Sequence, residues 1–218
     1  MKRLGDRPYI CLITQGRANP SNFEIEKKAI LDTVREAIED GVDLVQIREK
    51  ALTAKLLFEL VSEAVAISRT TSSLVLVNDR ADIAVTAGAD GVHLPETSFP
   101  PNIIRSAFGT ELVIGVSTHS LKSAETSARS GADFVFFGPV FDTPGKGTAL
   151  GTDSLRDICA ALDPFPVIAL GGVDKDNLER ALATGSAGVA AIRSLNERES
   201  RMSILRRVER FCNGGKLR

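Results

Sequence analysis

Short runs of apolar residues alternate along the chain with longer amphipathic segments. The apolar runs are rich in Val, Ile, Leu and Phe, and most of them are bounded by Gly, Asp, Asn or Pro. Continuous apolar runs are typical of strands buried on both faces of a parallel sheet. We therefore predict eight strands, at Tyr9–Thr14, Leu44–Ile47, Leu74–Val77, Gly91–Leu94, Leu112–Val116, Phe134–Phe137, Val167–Leu170 and Gly188–Ile192.

The segments between these runs carry apolar residues at helical spacing. Leu57, Leu60 and Val61, for example, share one face of such a segment. Thr53 stands just before them as a suitable N-cap. The predicted helices cover Phe23–Asp40, Thr53–Arg69, Leu121–Ser130, Ser154–Leu162, Lys175–Thr184 and Glu197–Cys212, with shorter ones at Ala81–Ala87 and Asn102–Phe108.

Eight strand–helix units in 218 residues give roughly 27 residues per unit, near the lower size limit of a closed eight-fold β/α barrel. A doubly wound open sheet shows the same alternation but usually has fewer strands. We therefore predict an α/β fold, a single (β/α)8 TIM barrel. It forms one domain over residues 1–218 with a core at about 8–212, without a linker or a second domain.

Composition and charge exclude several classes of function. With 27 Lys+Arg against 28 Asp+Glu, the chain has no electrostatic footprint for nucleic acid. No apolar run is long enough to span a membrane, and the polar segment Met1–Arg7 does not resemble a signal peptide. Three widely spaced cysteines fit a reducing compartment. We expect a cytoplasmic protein with small-molecule partners, no nucleic acid and no membrane; the sequence leaves open a homo-oligomer.

Polar residues at the ends of the predicted strands indicate a site, because the active sites of such barrels lie at the carboxyl ends of the strands. In the second strand, Gln46 and Arg48 alternate with apolar neighbours and point the same way, and Lys50 lies just beyond. Amide and cationic groups of this kind suit phosphate oxygens. The alternative is a surface salt bridge with Glu49.

The next two strands end in candidate metal and hydrogen-bonding groups. Asp79 could bind Mg²⁺, which often joins a carboxylate to substrate phosphates. The alternative, that Asn78 or Asp79 caps the following helix, is equally supported by the spacing. His93 lies in a strand too short to show which way the ring faces. A satisfied core or rim histidine is the more common use of such a residue.

The fifth strand ends in Ser117 and His119, which also alternate. His119 is the better candidate for proton transfer, since a neutral imidazole can exchange protons near its ordinary pKa. The alternative is that Thr118, His119 and Ser120 only start the next helix.

The last three strand ends indicate anion binding. The connection after the sixth strand is long and contains Thr143 and Lys146, which can offer a hydroxyl and an ammonium to phosphate. Gly171 and Gly172 follow the seventh strand, and the eighth ends at Ile192 and Arg193. Barrels often build a phosphate site from these two connections. We expect two anion sites, one formed by Arg48, Lys50 and Lys146 and the other by Gly171, Gly172 and Arg193.

Six segments resemble, in order and spacing, the motifs of the thiamine phosphate synthase and TenI superfamily. The resemblance runs from about Tyr9 to Leu195 and is specific as a set. The segments are Gln46–Lys50, Val77–Arg80, Ala89–Leu94, Gly115–His119, Gly138–Lys146 and Ala169–Val173.

The resemblance implies an enzyme that couples hydroxymethylpyrimidine diphosphate with thiazole phosphate and releases pyrophosphate. It implies that Arg48, Lys50, Asn78 and Lys146 hold the diphosphate and that Asp79 binds Mg²⁺. By the same resemblance, Gln46 and Ser117 lie near the pyrimidine and the leaving group. Around the thiazole phosphate it places Thr143, Gly171, Gly172 and the strand-eight end.

Departures from the family pattern keep other functions open. Ser98 stands where the synthases carry a second carboxylate for Mg²⁺, and Glu96 is a nearby candidate replacement. Pro95, Gly145 and Arg193 also depart from the synthase pattern. A TenI-type thiazole tautomerase, with His119 as its acid/base group, and a non-catalytic binder of thiazole phosphate are therefore the alternatives. The ordered motifs disfavour a sugar-phosphate epimerase.

Overall fold

The structure, a computed structural model, describes residues 7–214, so Met1–Asp6 of the polar N-terminal segment lie outside the described residues. Eight parallel strands pair in chain order, and the last pairs with the first to close a barrel. They are β1 Tyr9–Ile13, β2 Leu44–Ile47, β3 Leu74–Asn78, β4 Gly91–Leu94, β5 Val113–Thr118, β6 Phe134–Phe137, β7 Val167–Leu170 and β8 Gly188–Ala191. The predicted (β/α)8 TIM barrel is confirmed.

Helices follow the strands and surround the barrel. They are α1 Phe23–Asp40, α2 Ala54–Ser68, α3 Ala81–Ala87, α4 Pro101–Phe108, α5 Leu121–Arg129, α6 Gly151–Leu162, α7 Leu178–Leu182, α8 Arg193–Asn196 and α9 Arg198–Cys212. The predicted N-cap of α2 is confirmed, because Thr53 Oγ1 accepts a hydrogen bond from the backbone N–H of Leu56. None of the helices in residues 7–214 is both long and apolar enough to cross a membrane.

Two predicted elements differ from the structure in ways that concern the site. β8 ends at Ala191, because Ile192 leaves the extended conformation (φ −91°, ψ −75°), and Arg193 therefore starts α8 instead of ending the strand. The predicted helix from Lys175 is shorter and begins at Leu178. Its expected first turn is taken up by Asp174, whose Oδ1 accepts hydrogen bonds from the next backbone N–H groups in an Asx-type turn.

The apolar core has two layers. One lies between the barrel and its helices, and the other fills the barrel interior. Within the interior, Phe134 and Phe136 pack edge to face with their ring centroids 5.1 Å apart. Gly115 makes room for them, since a Cβ there would lie 2.3 Å from the Phe134 ring. The interior apolar residues are Tyr9, Cys11, Ile13, Leu44, Leu76, Phe134, Phe136, Ile168 and Ala190.

Successive residues of a strand face opposite sides of the sheet. The strands therefore also bring polar side chains into the barrel at its carboxyl end. Leu44 and Leu76 are interior residues, so Gln46 and Asn78, two positions further along their strands, also face inward. His93 and Ser117 lie on the next two strands, and Ser117 is paired in register with Phe136 of the interior. A polar layer therefore covers the apolar barrel interior at the end where barrel enzymes bind their substrates.

Candidate active site

A chain of hydrogen bonds links four predicted site residues across β2, β3, β4 and β5. Gln46 Nε2 lies 3.1 Å from Asn78 Oδ1 and 2.6 Å from His93 Nδ1. His93 Nε2 lies 2.9 Å from Ser117 Oγ. The structure thus joins residues that are up to 71 positions apart in the sequence, Gln46 and Ser117, through one imidazole ring.

His93 is buried and neutral. Its ring packs edge-on against Phe136, with centroids 4.6 Å apart. Burial, followed by the nearby charges of Arg48 and Lys50, lowers the pKa of His93 to about 3. The expectation of a satisfied buried histidine therefore describes the ring correctly, but its partners are site residues. A histidine neutral over the whole physiological range can orient other groups and does not serve as a general acid.

Gln46 contains the one buried side-chain nitrogen or oxygen without a hydrogen-bond partner in the described part of the chain. This atom is Oε1, the carbonyl oxygen of the amide. Buried polar atoms are nearly always paired, because an unpaired one loses its hydration without compensation. A donor from outside the chain, such as water or a ligand, is therefore needed to complete the amide.

Arg48 and Lys50 place two positive charges beside this network of hydrogen bonds. Arg48 is half-buried, and its backbone N–H donates to Thr14 Oγ1 at 2.8 Å, which ties the ends of β1 and β2 together. Lys50 is exposed. Neither side chain forms an ion pair within residues 7–214. Both charges are close enough to lower the pKa of His93. They therefore remain available to an anionic ligand.

Glu49 lies between Arg48 and Lys50 in sequence, but its carboxylate binds backbone groups of a loop instead of either cation. Its buried carboxylate accepts hydrogen bonds from the backbone N–H groups of Gly16 at 2.9 Å and Ala18 at 2.8 Å. The surface salt bridge with Arg48 or Lys50 is therefore wrong. Glu49 instead holds the β1–α1 connection, a role that sequence reasoning missed because it depends on a distant loop.

Asp79 is exposed and hydrogen-bonded to Ser98, the residue predicted to replace a second metal carboxylate. Ser98 Oγ donates to Asp79 Oδ1 at 2.6 Å. Asp79 has a φ of 57°, and its N–H donates to the carbonyl oxygen of His93. Neither Asn78 nor Asp79 caps α3, whose N-cap position is Arg80 and has no side-chain cap. The capping alternative is therefore wrong, and the exposed carboxylate lies beside the β4–α4 connection that contains Ser98.

These residues fit a magnesium ion only as a site with a single protein carboxylate. The described residues contain no cluster of three or more His, Cys, Asp or Glu side chains with metal-site geometry. Mg²⁺ is often held by one or two carboxylates together with substrate phosphates and water. Asp79 and a diphosphate would supply such a set. Glu96 is exposed, and its suggested replacement of the missing carboxylate stays a prediction.

His119 is exposed at the end of β5, and its ring is oriented by the next strand. Nδ1 donates to the carbonyl oxygen of Gly138 at 2.5 Å. When the ring is neutral, Nε2 is therefore the free, unprotonated nitrogen. The α5 helix starts instead with Ser120 as N-cap in a capping box with Ser123. The ring of His119 thus takes no part in that helix start.

Gly171 and Gly172 are required by loop packing. Both have positive φ values, 96° and 67°. A Cβ at Gly172 would lie 2.6 Å from the carbonyl oxygen of Asp142, and one at Gly171 would lie 2.5 Å from Pro139 Cα. The two glycines let the β7–α7 connection pack against the long β6–α6 connection. Close approach of a ligand phosphate remains a prediction.

The other predicted phosphate-binding residues lie around the same end, and the backbone N–H of Lys146 donates to the carbonyl oxygen of Thr143 at 3.0 Å. Thr143 Oγ1 donates to the carbonyl oxygen of Phe141, and Lys146 and Arg193 are exposed. Ser194, which sequence reasoning missed, donates from Oγ to the carbonyl oxygen of Val173 at 2.7 Å. This bond joins the start of α8 to the β7–α7 connection. The sequence signal that could have identified Ser194 was its hydroxyl, directly after Arg193 at the predicted end of the eighth strand.

Comparison with known proteins decides the family. The family model described as thiamine monophosphate synthase matches residues 10–195. The chain belongs to the thiamine monophosphate synthase family. The family predicted from the ordered motifs is therefore confirmed.

Members of the thiamine monophosphate synthase family resemble this chain over most of its length. The thiamine-phosphate synthase of Chlorobium phaeobacteroides is 30% identical over 211 residues, which cover 95% of this chain and 98% of that protein. The thiamine-phosphate synthase of Methanosarcina barkeri is 37% identical over 173 residues, covering 77% of each chain. The solved structure of thiamine phosphate pyrophosphorylase from Pyrococcus furiosus matches with a TM-score of 0.80 and 30% identity, covering 92% of this chain and 95% of that one.

Proposed function

We propose that this member of the family is a thiamine phosphate synthase, a transferase. It joins hydroxymethylpyrimidine diphosphate to thiazole phosphate and releases pyrophosphate. One observation carries the proposal: the polar chain from Gln46 to Ser117 lies beside Arg48 and Lys50, which have no ion-pair partner within residues 7–214. A neutral hydrogen-bonding patch next to free cations suits a heteroaromatic ring that carries a diphosphate.

The reaction breaks one bond and forms another. The bond between the pyrimidine methylene carbon and the diphosphate oxygen breaks, and its electron pair leaves with pyrophosphate. The lone pair of the thiazole nitrogen then forms the new carbon–nitrogen bond. Arg48 and Lys50 stabilise the negative charge that develops on the departing oxygens, as fixed donors do at other active sites. Asn78 and Lys146 are proposed to hold the remaining diphosphate oxygens.

The pyrimidine is proposed to complete the hydrogen bonds of the polar chain. An amino group on the ring is a donor, and the unpartnered Gln46 Oε1 is an acceptor. Gln46 Oε1 is buried in the unliganded protein. A neighbouring group must therefore move before the pyrimidine can reach this oxygen. Ser117, which is partly exposed, is proposed to face the leaving group.

Asp79 is the residue that would hold Mg²⁺. When bound, Mg²⁺ supplies charge neutralisation on the diphosphate, which lowers the barrier to departure. Ser98 keeps the Asp79 carboxylate oriented through their 2.6 Å hydrogen bond. The site therefore relies on the diphosphate for the ligands that a second carboxylate would give.

The thiazole phosphate is proposed to lie at the opposite side of the mouth, where β7 and β8 end. Gly171, Gly172 and Ile192 would offer backbone groups there, and Arg193 would offer a guanidinium. Thr143 would contact the phosphate or support the loop above it. The Ser194 bond to Val173 holds the start of α8 against the β7–α7 connection for this contact.

A thiazole tautomerase is the second candidate function, and one observation favours it. The bond from His119 Nδ1 to Gly138 leaves Nε2 of the neutral ring unprotonated and exposed, as a general base requires. Tautomerisation needs proton transfer on thiazole phosphate and no diphosphate. It would leave Arg48 and Lys50 without a role.

The test is incubation of the purified protein with both substrates and Mg²⁺, monitoring pyrophosphate and thiamine phosphate. We expect the two products in equal amounts, and neither when one substrate is omitted. Thiazole tautomerisation without coupling would support the second candidate. Binding of thiazole phosphate with neither reaction would favour the non-catalytic binder.

We further propose action in a reducing compartment, the cytoplasm. Cys11 and Cys159 are buried free thiols, and Cys212 is an exposed one. Burial raises the pKa of Cys11 and of Cys159. Buried thiols with a raised pKa are unreactive, so we propose that Cys11 and Cys159 serve to pack the protein interior.

A further inference from the structure

The orientation of the Gln46 amide determines which nitrogen of the His93 ring carries the proton. Gln46 Nε2 is a donor without acceptor capacity, and it faces both Asn78 Oδ1 and His93 Nδ1. Its two hydrogens satisfy these two neighbours. Nδ1 must then accept, so a neutral ring carries its proton on Nε2. This is the opposite tautomer from that of His119, whose Nδ1 donates.

The state of Ser117 follows from that tautomer. His93 Nε2–H donates to Ser117 Oγ across 2.9 Å. The hydroxyl proton of Ser117 cannot point back along this bond, and Ser117 Oγ has no other hydrogen bond in the described chain. Because the side chain is partly exposed, the proton is directed away from His93, toward the barrel mouth.

We propose that His93 is a positioning residue whose fixed tautomer presents Ser117 to the ligand as a hydrogen-bond donor and Gln46 Oε1 as an acceptor. One ring thus sets the polarity of two groups on β2 and β5. The opposite tautomer would invert both, because Gln46 would have to turn its oxygen toward Nδ1 and Ser117 would donate to Nε2. The identity of the ligand in this inference rests on the proposed function, whereas the tautomer of His93 is independent of it.

The surroundings hold the ring in this state. Phe136 packs edge-on against the imidazole and restricts its rotation. The ring is buried, and its Nδ1 faces the amide N–H of Gln46, so no acceptor is available there for a second ring proton. The preorganised donor and acceptor would lower the cost of orienting a ring in the site.

The tautomer can be measured directly, because the chain has only two histidines. In ¹⁵N-labelled His119→Asn protein, all imidazole signals come from His93. At pH 7 in the free protein we expect one proton-coupled ring nitrogen, Nε2, and an uncoupled Nδ1. A proton on Nδ1 would overturn the proposal whether or not the coupling reaction is detected.

Two complementary variants test the effect on the reaction. In His93→Gln, the amide nitrogen can replace Nε2 as donor to Ser117; in His93→Asn, the amide oxygen can replace only the Nδ1 acceptor. We expect His93→Asn to lower kcat/KM for coupling by about 10²-fold, since orientation errors near the chemistry cost that much, and His93→Gln to restore most of it.

A double-mutant cycle separates positioning from general destabilisation. If His93 acts through Ser117, His93→Asn combined with Ser117→Ala should be no worse than the more damaging single variant. Losses that multiply would contradict the proposal, because independent effects add in free energy. Ser127→Ala is the matched control, because the Ser127 hydroxyl donates to the Ser123 carbonyl oxygen of the same helix, α5. Absence of coupling in the wild type would reject the proposed function and leave the tautomer measurement to decide this inference.

Discussion

Ser98 donates a 2.6 Å hydrogen bond to Asp79 at the mouth of the barrel. The residue predicted to replace one metal carboxylate is thus in direct contact with Asp79, the carboxylate proposed to bind Mg²⁺. A serine there positions Asp79 but contributes no charge. The magnesium affinity of this chain should therefore depend on Asp79 and on the bound diphosphate together.

Replacing Asp79 should abolish most coupling without unfolding the protein. We expect Asp79→Ala to lose roughly 10²-fold or more in Mg²⁺-dependent turnover, comparable to removal of a charge-stabilising group. The side chain is exposed, so the loss of stability should stay at about 1 kcal/mol, from the Ser98 hydrogen bond and from alanine at a positive φ. Glu96→Ala tests whether that residue supplies a second ligand, and Asp32→Ala on the outer helix is the control. Unchanged turnover in Asp79→Ala would remove Asp79 from the metal site.

Restoring a carboxylate at position 98 should strengthen metal binding. In Ser98→Asp two carboxylates would face each other, which is unfavourable without a cation and favourable with one. We expect the Mg²⁺ concentration for half-maximal binding to fall roughly tenfold, or about 1.4 kcal/mol. Calorimetric titration with Mg²⁺ in the presence of pyrophosphate measures this. Ser98→Ala removes only the hydrogen bond and serves as control; an equal affinity in Ser98→Asp and wild type would refute the shared site.

Substitution of Gly172 should destabilise the fold more than substitution of a glycine with a similar backbone. Gly172 and Gly88 have φ values of 67° and 73°, but only at Gly172 would a Cβ meet other atoms. Alanine should cost about 1–2 kcal/mol at both positions for the left-handed backbone. Gly172→Ala should cost about 1–3 kcal/mol more for the collision with the β6–α6 connection. Equal losses in urea unfolding would show that this packing is unimportant.

Acid should destabilise the protein through His93. The unfolded ring takes up a proton near pH 6.5, whereas the folded ring stays neutral until about pH 3. The folded state therefore loses stability as the pH falls through this window. Between pH 7 and pH 5 the loss from this residue is about 2 kcal/mol. Unfolding free energies of wild type and His93→Gln should converge by about that amount, and parallel pH curves would contradict the buried neutral ring.

The barrel could be predicted from the sequence because its strands are buried on both faces. Apolar runs such as Phe134–Phe137 have no competing interpretation once eight of them alternate with helices. The ends of elements were less certain, since side-chain turns decide them. Asp174 prevents the expected early start of α7, and Ile192 ends β8 by its backbone conformation.

The residue types of the site were also predictable, but their partners were not. Alternation showed that Gln46 and Arg48 face one way, and the ordered motifs indicated Asn78, His93 and Ser117. No local pattern shows that a histidine on β4 bonds to side chains on β2 and β5. The role of Glu49 in holding a loop 31–33 residues away was hidden for the same reason.

The synthase and tautomerase accounts differ most in which residues control the reaction. The measurement is the coupling rate of Arg48→Ala, Lys50→Ala and His119→Asn, from one set of preparations. Our account predicts a loss of roughly 10²–10³-fold in each cation variant, because these groups stabilise charge on the departing pyrophosphate. It predicts a much smaller loss in His119→Asn. Coupling that survives intact in Arg48→Ala and Lys50→Ala would contradict the proposed function.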